Sequence, residues 1–251
     1  MSAFLGHMTT DNVTALLASG RLVLLLPVGS VEPHGPHLPL ETDTVISLAA
    51  CERAVARLEA RDIIARIAPS IPYGVTDFAQ GFAGAVSLSP AAVTAFVGAV
   101  VDALLASGAA HVSVVNNHLE PAQDSAIRAV CTGRPQQAVS IACPLTRRWA
   151  RTLSAEFKSG ACHAGRYETS LMLAAQPELV RDQIRKSLPA VPISLSDGIK
   201  AGRHTFASMG LDKAYAGAPR EASAAEGDEQ LELLAQMIEL EVVEALGLKD
   251  W

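Results

Sequence analysis

Glu32, His34, His37 and Asp43 follow one another in a single short stretch, Gly29-Ser30-Val31-Glu32-Pro33-His34-Gly35-Pro36-His37-Leu38-Pro39-Leu40-Glu41-Thr42-Asp43, braced by Gly and three Pro. Imidazole nitrogen and carboxylate oxygen are the donor types that hold divalent zinc, manganese or iron. A lone His-x-x-His in a loop is usually incidental, so the stretch gains meaning only from partners elsewhere. Two further groups supply them: Asn116-Asn117-His118 with Glu120, and His163 with Arg166 and Glu168. Each has an ordinary structural explanation. Asn-Asn-His can be a turn with a helix cap, and Glu168 can be a first-turn helix carboxylate favoured by the dipole. All three groups nevertheless occupy the same kind of chain position, at the end of a strand or the start of a helix. Together they point to a metal site.

The elements that must position these groups are legible in the apolar pattern. Leu22–Val28, Ile63–Ala68, Val112–Val115 and Ala138–Ala142 read as buried strands. Helical patterns cover Thr44–Glu59, Pro90–Ala106 with Ser89 as N-cap, Pro121–Cys131, Leu145–Phe157, Glu168–Ala175 and a long closing helix, Glu221–Leu246. Pro189–Pro219 is rich in Gly, Pro and Ser without periodicity, and a loop of that length is more often functional or interfacial than idle. Alternating strands and helices predict a three-layer α/β/α fold with a mainly parallel sheet, formed by residues 1–251 as a single domain. In a parallel sheet every strand-to-helix loop emerges at one edge, where ligands gather. The three polar groups can therefore meet.

Composition narrows the function class. The 251 residues carry a formal net charge of −6 with no basic block, which argues against nucleic acid as a partner. No apolar run is long enough to span a bilayer. The first residues lack a basic region followed by an apolar core, so the expectation is a cytoplasmic protein without a signal peptide. Cys51, Cys131, Cys143 and Cys162 are widely spaced and fit reduced thiols better than a disulfide framework.

The blocks Pro27-Val28-Gly29-Ser30-x-Glu32-x-His34-Gly35-Pro36-His37-Leu38-Pro39-Leu40-x-Thr42-Asp43, then Asn117-His118, then His163-Ala164-Gly165-x-x-Glu168-Thr169-Ser170-Leu171-Met172-Leu173 resemble, in order, those of the creatininase family. The resemblance implies an α/β/α fold, a pair of divalent metals (Zn or Mn, with Fe possible) and hydrolysis of a carbon–nitrogen bond in a small, often cyclic, amide. It places Glu32 and His118 on one metal and His34 on the other, with Asp43 bridging them. Either Glu120 or Glu168 completes the second metal; creatininase uses the position of Glu120, and many relatives use that of Glu168. It also implies a homo-oligomer, hexameric in relatives.

Three carboxylates, Glu32, Asp43 and Glu120, against two divalent cations leave one positive charge, which a bridging hydroxide neutralises. Such a hydroxide is a nucleophile at neutral pH. His163 is the candidate for passing a proton to the leaving nitrogen, and Glu120 is the other residue near the chemistry. His37 falls outside the ligand pattern and is expected to support the site by hydrogen bonding. Tyr73, Thr76, Asp77, Arg166 and the Pro189–Pro219 loop, with His204, are candidate substrate contacts. The aromatic that creatininase places just before its catalytic histidine is absent from Lys158-Ser159-Gly160-Ala161-Cys162, so creatinine itself is not the expected substrate. Other readings of the same ligands are a lactone or formamide hydrolase, a peptidase for short peptides, or a non-catalytic metal-binding subunit.

Overall fold

The leucine-rich segment after Arg21 becomes the central strand of the molecule. In the computed structural model, which describes residues 2–18 and 20–248, four strands form one parallel sheet. They are β1 (Val23–Val28), β2 (Ala65–Ile67), β3 (His111–Asn116) and β4 (Val139–Ala142), in the order β2-β1-β3-β4. Every β1 residue is buried, and successive side chains go to opposite faces. Val23 and Leu25 join one apolar cluster, whereas Leu24, Leu26 and Val28 join another. Each buried leucine contributes roughly 2 kcal/mol. The loop leaving β1 therefore starts from a strand anchored on both sides.

Helices fill both faces. A capping box between Thr9 and Asn12 starts α1 (Thr10–Leu17), which the apolar pattern alone does not reveal. The first face is covered by α2 (Thr42–Glu59), whose Val45, Ala54 and Leu58 pack against Val23 and Leu25. The second face is covered by α3 (Pro90–Ala106), N-capped by Ser89, and α4 (Pro121–Ala129).

The stretch expected to be one helix over 145–157 is instead two short ones, α5 (Arg147–Ala150) and α6 (Ala155–Ser159). The break has a physical cause. Ser154 turns its hydroxyl onto the Phe157 N–H as a new N-cap, and its own N–H goes to the Gln230 side chain. Next come α7 (Arg166–Ala175) and α8 (Asp182–Ser187).

The Pro189–Pro219 segment is not structureless. It contains α9 (Leu195–Lys200), a bridge between Val191 and Gly217, and its own apolar cluster around Phe206, Met209 and Leu211. A six-residue helix is too short to display a period, which is why the pattern missed it. Finally α10 (Ala224–Ala245) packs on α2 and α7 on the first face. Gly227 permits this contact, because a Cβ there would lie 1.8 Å from the Ser170 carbonyl oxygen of α7.

The strand order sets the position of the site. From β1 the chain moves outward to β2, returns across β1 and continues outward through β3 and β4. The reversal point lies between β1 and β3, whose last residues, Val28 and Asn116, are register partners. A crevice opens beyond the carboxyl ends of such a pair. The loops carrying Glu32, His34 and Asp43 and those carrying His118 and Glu120 leave from these two strand ends.

Candidate metal centre

Gly29 follows β1 where a side chain has no room: a Cβ would lie 2.5 Å from the Thr44 hydroxyl and 2.6 Å from its backbone nitrogen. The loop is pinned by the Glu32 N–H to the Leu40 carbonyl, 3.0 Å, and by the Gly35 N–H to the Ala214 carbonyl, 2.8 Å. Asp43 lies in the first turn of α2, where the helix dipole favours its negative charge. The Ser47 hydroxyl donates to the Val28 carbonyl and accepts from the Asn117 N–H, joining the ends of β1 and β3. Asn116 donates to the His118 carbonyl and so holds the second loop closed. In the third loop Ala164 has φ +48°, a left-handed conformation costly for a residue with a Cβ. There its N–H donates to Glu168 at 2.6 Å.

These loops bring four carboxylates and three imidazoles together out of solvent: Glu32, Asp43, Glu120 and Glu168 with His34, His118 and His163. The two oxygens of Asp43 diverge. Oδ1 lies 3.2 Å from His34 Nε2, and Oδ2 lies 3.0 Å from His118 Nδ1. Glu32 Oε1 is 3.2 Å from His118 Nδ1, and Glu168 Oε2 is 3.6 Å from His34 Nε2. Ligand-capable atoms fall into overlapping groups, among them Glu32–His118–Glu120 and His34–Asp43–Glu168.

Each histidine is held at its other nitrogen by a backbone carbonyl. His34 Nδ1 meets the Glu32 carbonyl at 3.1 Å, His118 Nε2 the Val75 carbonyl at 2.6 Å, and His163 Nε2 the Pro33 carbonyl at 3.0 Å. A carbonyl only accepts, so a ring proton lies on that side and the other ring nitrogen faces the site. This is how imidazole metal ligands are oriented. Ser30 donates to Asp43 Oδ2 at 2.8 Å, and the Thr76 hydroxyl donates to Glu32 Oε2. The donor set, the fixed ring orientations and the shared carboxylate suit divalent cations.

Thr76, an expected substrate contact, borders a cleft next to the site and gives its hydroxyl to the Glu32 carboxylate. Thr76→Val should weaken binding of Mn or Zn by about 10- to 100-fold while the chain stays folded. Titration with either metal reads this directly, and an unchanged affinity would remove Thr76 from the site.

The charge balance of the metal-free chain is equally informative. Burial works against a charged His34, yet Asp43, Glu168 and Glu32 outweigh it and hold its pKa at about 10. Burial likewise opposes charge on His118, but Glu32 and Asp43 keep its pKa well above the usual imidazole value. Burial raises Glu168 to about 8, against the pull of His34, and raises Glu120 to about 7.

All four groups bind protons more tightly folded than unfolded. Their stabilising contributions are complete below their unfolded pKa values and are lost as pH rises through the folded ones. Asp43 is depressed, because His34 and His118 outweigh its burial, and so it contributes in the opposite sense, at the acid end. Chelator-treated protein should therefore lose thermal stability from about pH 6 to about pH 9, while affinity for divalent cations rises as they displace those protons. Melting curves across that range check the sign, and metal-free protein that gained stability with pH would contradict it.

His163 lies between His34, 4.6 Å away by ring centroid, and Phe206, stacked at 4.3 Å and 27°. Burial and the nearby His34 lower its pKa to about 4, so the ring is neutral with Nδ1 free to accept a proton. Cys162 lines the same cavity, where burial and the Glu168 charge raise its thiol pKa and disfavour the thiolate. The cavity measures about 50 Å³, and its walls are Phe78, Leu119, Pro121, Leu195, Ile199 and Phe206. The last three come from the segment around α9. They supply the aromatic and aliphatic cover that the residues just before His163 lack.

Of the other expected contacts, His37 is buried with Nε2 2.8 Å from the hydroxyl of Thr169, the residue after Glu168. Arg166 turns away and pairs with Glu226 and Glu221. Tyr73 is half exposed and lines no part of the cavity. Asp77 gives its N–H to Glu120 and directs its carboxylate outward to Ser87.

The profile described as "Creatininase: Creatinine amidohydrolase" matches residues 6–240. The chain belongs to the creatininase family. Among relatives of this creatininase-family hydrolase, the "Mycofactocin precursor peptide peptidase" of Mycobacterium tuberculosis is 33% identical over 211 residues, covering 81% of this chain and 78% of that protein. "Creatinine amidohydrolase" of Pseudomonas putida is 29% identical over 200 residues, covering 71% and 74%. The solved structure "Creatininase Mn" superposes with a TM-score of 0.71 at 26% identity, over 98% of this chain and 99% of that one. The three-layer architecture is thus the family's. Among the described residues, no helix is long and apolar enough to cross a membrane.

Proposed function

We propose that the chain is a metal-dependent hydrolase that cleaves an amide carbon–nitrogen bond next to an apolar group. The observation that carries this reading is the divided carboxylate of Asp43, one oxygen facing His34 and the other His118. The proximities support Glu32, His118 and Glu120 around one cation and His34 and Glu168 around the other, with Asp43 shared. Of the two carboxylates left open by the sequence, Glu168 is therefore the one assigned beside His34. Divalent cations held by these residues would lower the pKa of a water and polarise the scissile carbonyl.

The chain's own residues do the rest. Ser30 and Thr76 orient Asp43 and Glu32. His163 takes a proton at Nδ1 and returns it to the departing nitrogen, its Nε2–H anchored on the Pro33 carbonyl throughout. Phe206 stacks on that ring and, with Leu195 and Ile199, excludes water and seats the apolar flank of the substrate.

A small cyclic amide held at the inner cavity is the first reading. A short peptide with an apolar residue at the scissile bond is the second reading. It is favoured by an open cleft beside the cavity and by the similarity to a peptidase. The test is a panel of cyclic amides, lactones, formamides and phenylalanine-containing dipeptides, assayed with protein loaded with Mn or Zn. Hydrolysis of the amide members is expected. A protein that turns over only lactones, or nothing at all with either metal, would overturn the proposal.

A further inference from the structure

Three consecutive residues, Thr76 to Phe78, form a wall with different chemistry on its two sides. Thr76 gives its hydroxyl to Glu32, and Phe78 lines the inner cavity. Between them, Asp77 places its carboxylate on a separate cleft of about 540 Å³, bordered also by Gln80, Phe82, Ser87, His204 and Thr205. The two spaces meet across an aromatic partition. The Phe206 ring centroid lies 6.1 Å from that of Phe78 and 6.4 Å from that of Phe82, and the Phe206 N–H donates to the Phe78 carbonyl.

The Asp77 carboxylate is held in place. The Thr76 N–H donates to the Ser87 hydroxyl at 2.9 Å, and that hydroxyl donates to Asp77 Oδ1 at 2.8 Å. The other carboxylate oxygen has no such tie among the described residues. Among the described residues, Asp77 is the one Asp, Glu, Lys or Arg lining the cleft, and Phe82 borders the same space. A fixed carboxylate beside an aromatic ring is the arrangement that binds an organic cation by charge pairing and cation–π attraction. The Asp77 backbone N–H lies on Glu120 at 3.1 Å, so this position is also tied directly to the metal-ligand cluster.

We propose that this cleft is a distal subsite of the same centre, in which Asp77 receives a cationic group, a primary ammonium or a guanidinium, on the part of the substrate remote from the scissile amide. The proposal rests on the hydrolase reading for its purpose but not for its binding chemistry. It adds a specificity that the family's reaction does not dictate: an amide with an apolar flank and a cation beyond it.

The test separates binding from turnover. Metal-loaded protein is titrated with 4-phenylbutylamine and with 4-phenylbutanol, an amine and an alcohol of matched shape that contain no amide. The amine should bind about tenfold more tightly than the alcohol, a preference that Asp77→Asn abolishes and that Ser87→Ala, which frees the carboxylate, reduces. In parallel, N-acetyl-phenylalanyl-lysinamide should show a lower KM than its norleucinamide counterpart with little difference in kcat, and Asp77→Asn should remove that advantage. Equal binding of amine and alcohol by the wild-type chain, or a preference that survives Asp77→Asn, would overturn the subsite whatever the turnover. Asp77-dependent amine binding without hydrolysis of any amide would leave the subsite standing and overturn the hydrolase reading.

Discussion

Asp43→Ala should yield protein that keeps its secondary structure, retains well under one equivalent of divalent metal, and loses about 10³- to 10⁵-fold in kcat/KM, the scale of several kcal/mol of metal-derived stabilisation. The size of the effect comes from position. Asp43 contacts both His34 Nε2 and His118 Nδ1 through different oxygens, so its removal takes a ligand from both groups at once. The fold should survive, because the side-chain partners of Asp43 (Ser30, His34 and His118) all belong to the site. Asp43→Asn, nearly the same shape without the charge, should behave similarly, because a neutral amide cannot balance two cations. Full metal retention in either variant would show that the carboxylate is not shared.

His163→Ala is expected to separate catalysis from metal binding. Its Nδ1 lies 3.8 Å from Glu32 Oε1, and its other nitrogen is committed to the Pro33 carbonyl. The ring therefore sits beside the candidate metal-binding groups with Nδ1 facing them. Removing it should lower kcat by about 10²- to 10⁴-fold, the usual worth of a positioned acid–base group, while metal content stays at the wild-type level. A variant that loses metal in proportion to activity would make His163 a ligand, and one with unchanged kcat would remove it from the reaction.

How much of this was legible in the sequence depended on chain distance. Glu32, His34 and Asp43 leave one strand within a single loop, and strand ends are readable from apolar runs, so their convergence could be inferred locally. The pairing of His34 with Glu168 could not, because it depends on α7 packing beside α2 and α10. Arg166 shows the error that proximity in sequence invites. It lies two residues before Glu168, and two residues on a helix turn the side chain by about 200°, to the opposite face. The 189–219 loop could be expected at the pocket, but Phe206, Leu195 and Ile199 could not be singled out within it, because the segment shows no period and Phe206 lies 43 positions after His163. The single helix expected over 145–157 failed for a different reason: one serine, Ser154, found cap and tertiary partners that compete with helix continuation.

Metal stoichiometry decides whether the buried Asp43 carboxylate serves two cations. Metal analysis of wild-type protein purified without chelator and titrated with Mn or Zn tests it most directly. A plateau of about two equivalents per chain is expected. A plateau at one equivalent or below, with all of the candidate ligands intact, would contradict it.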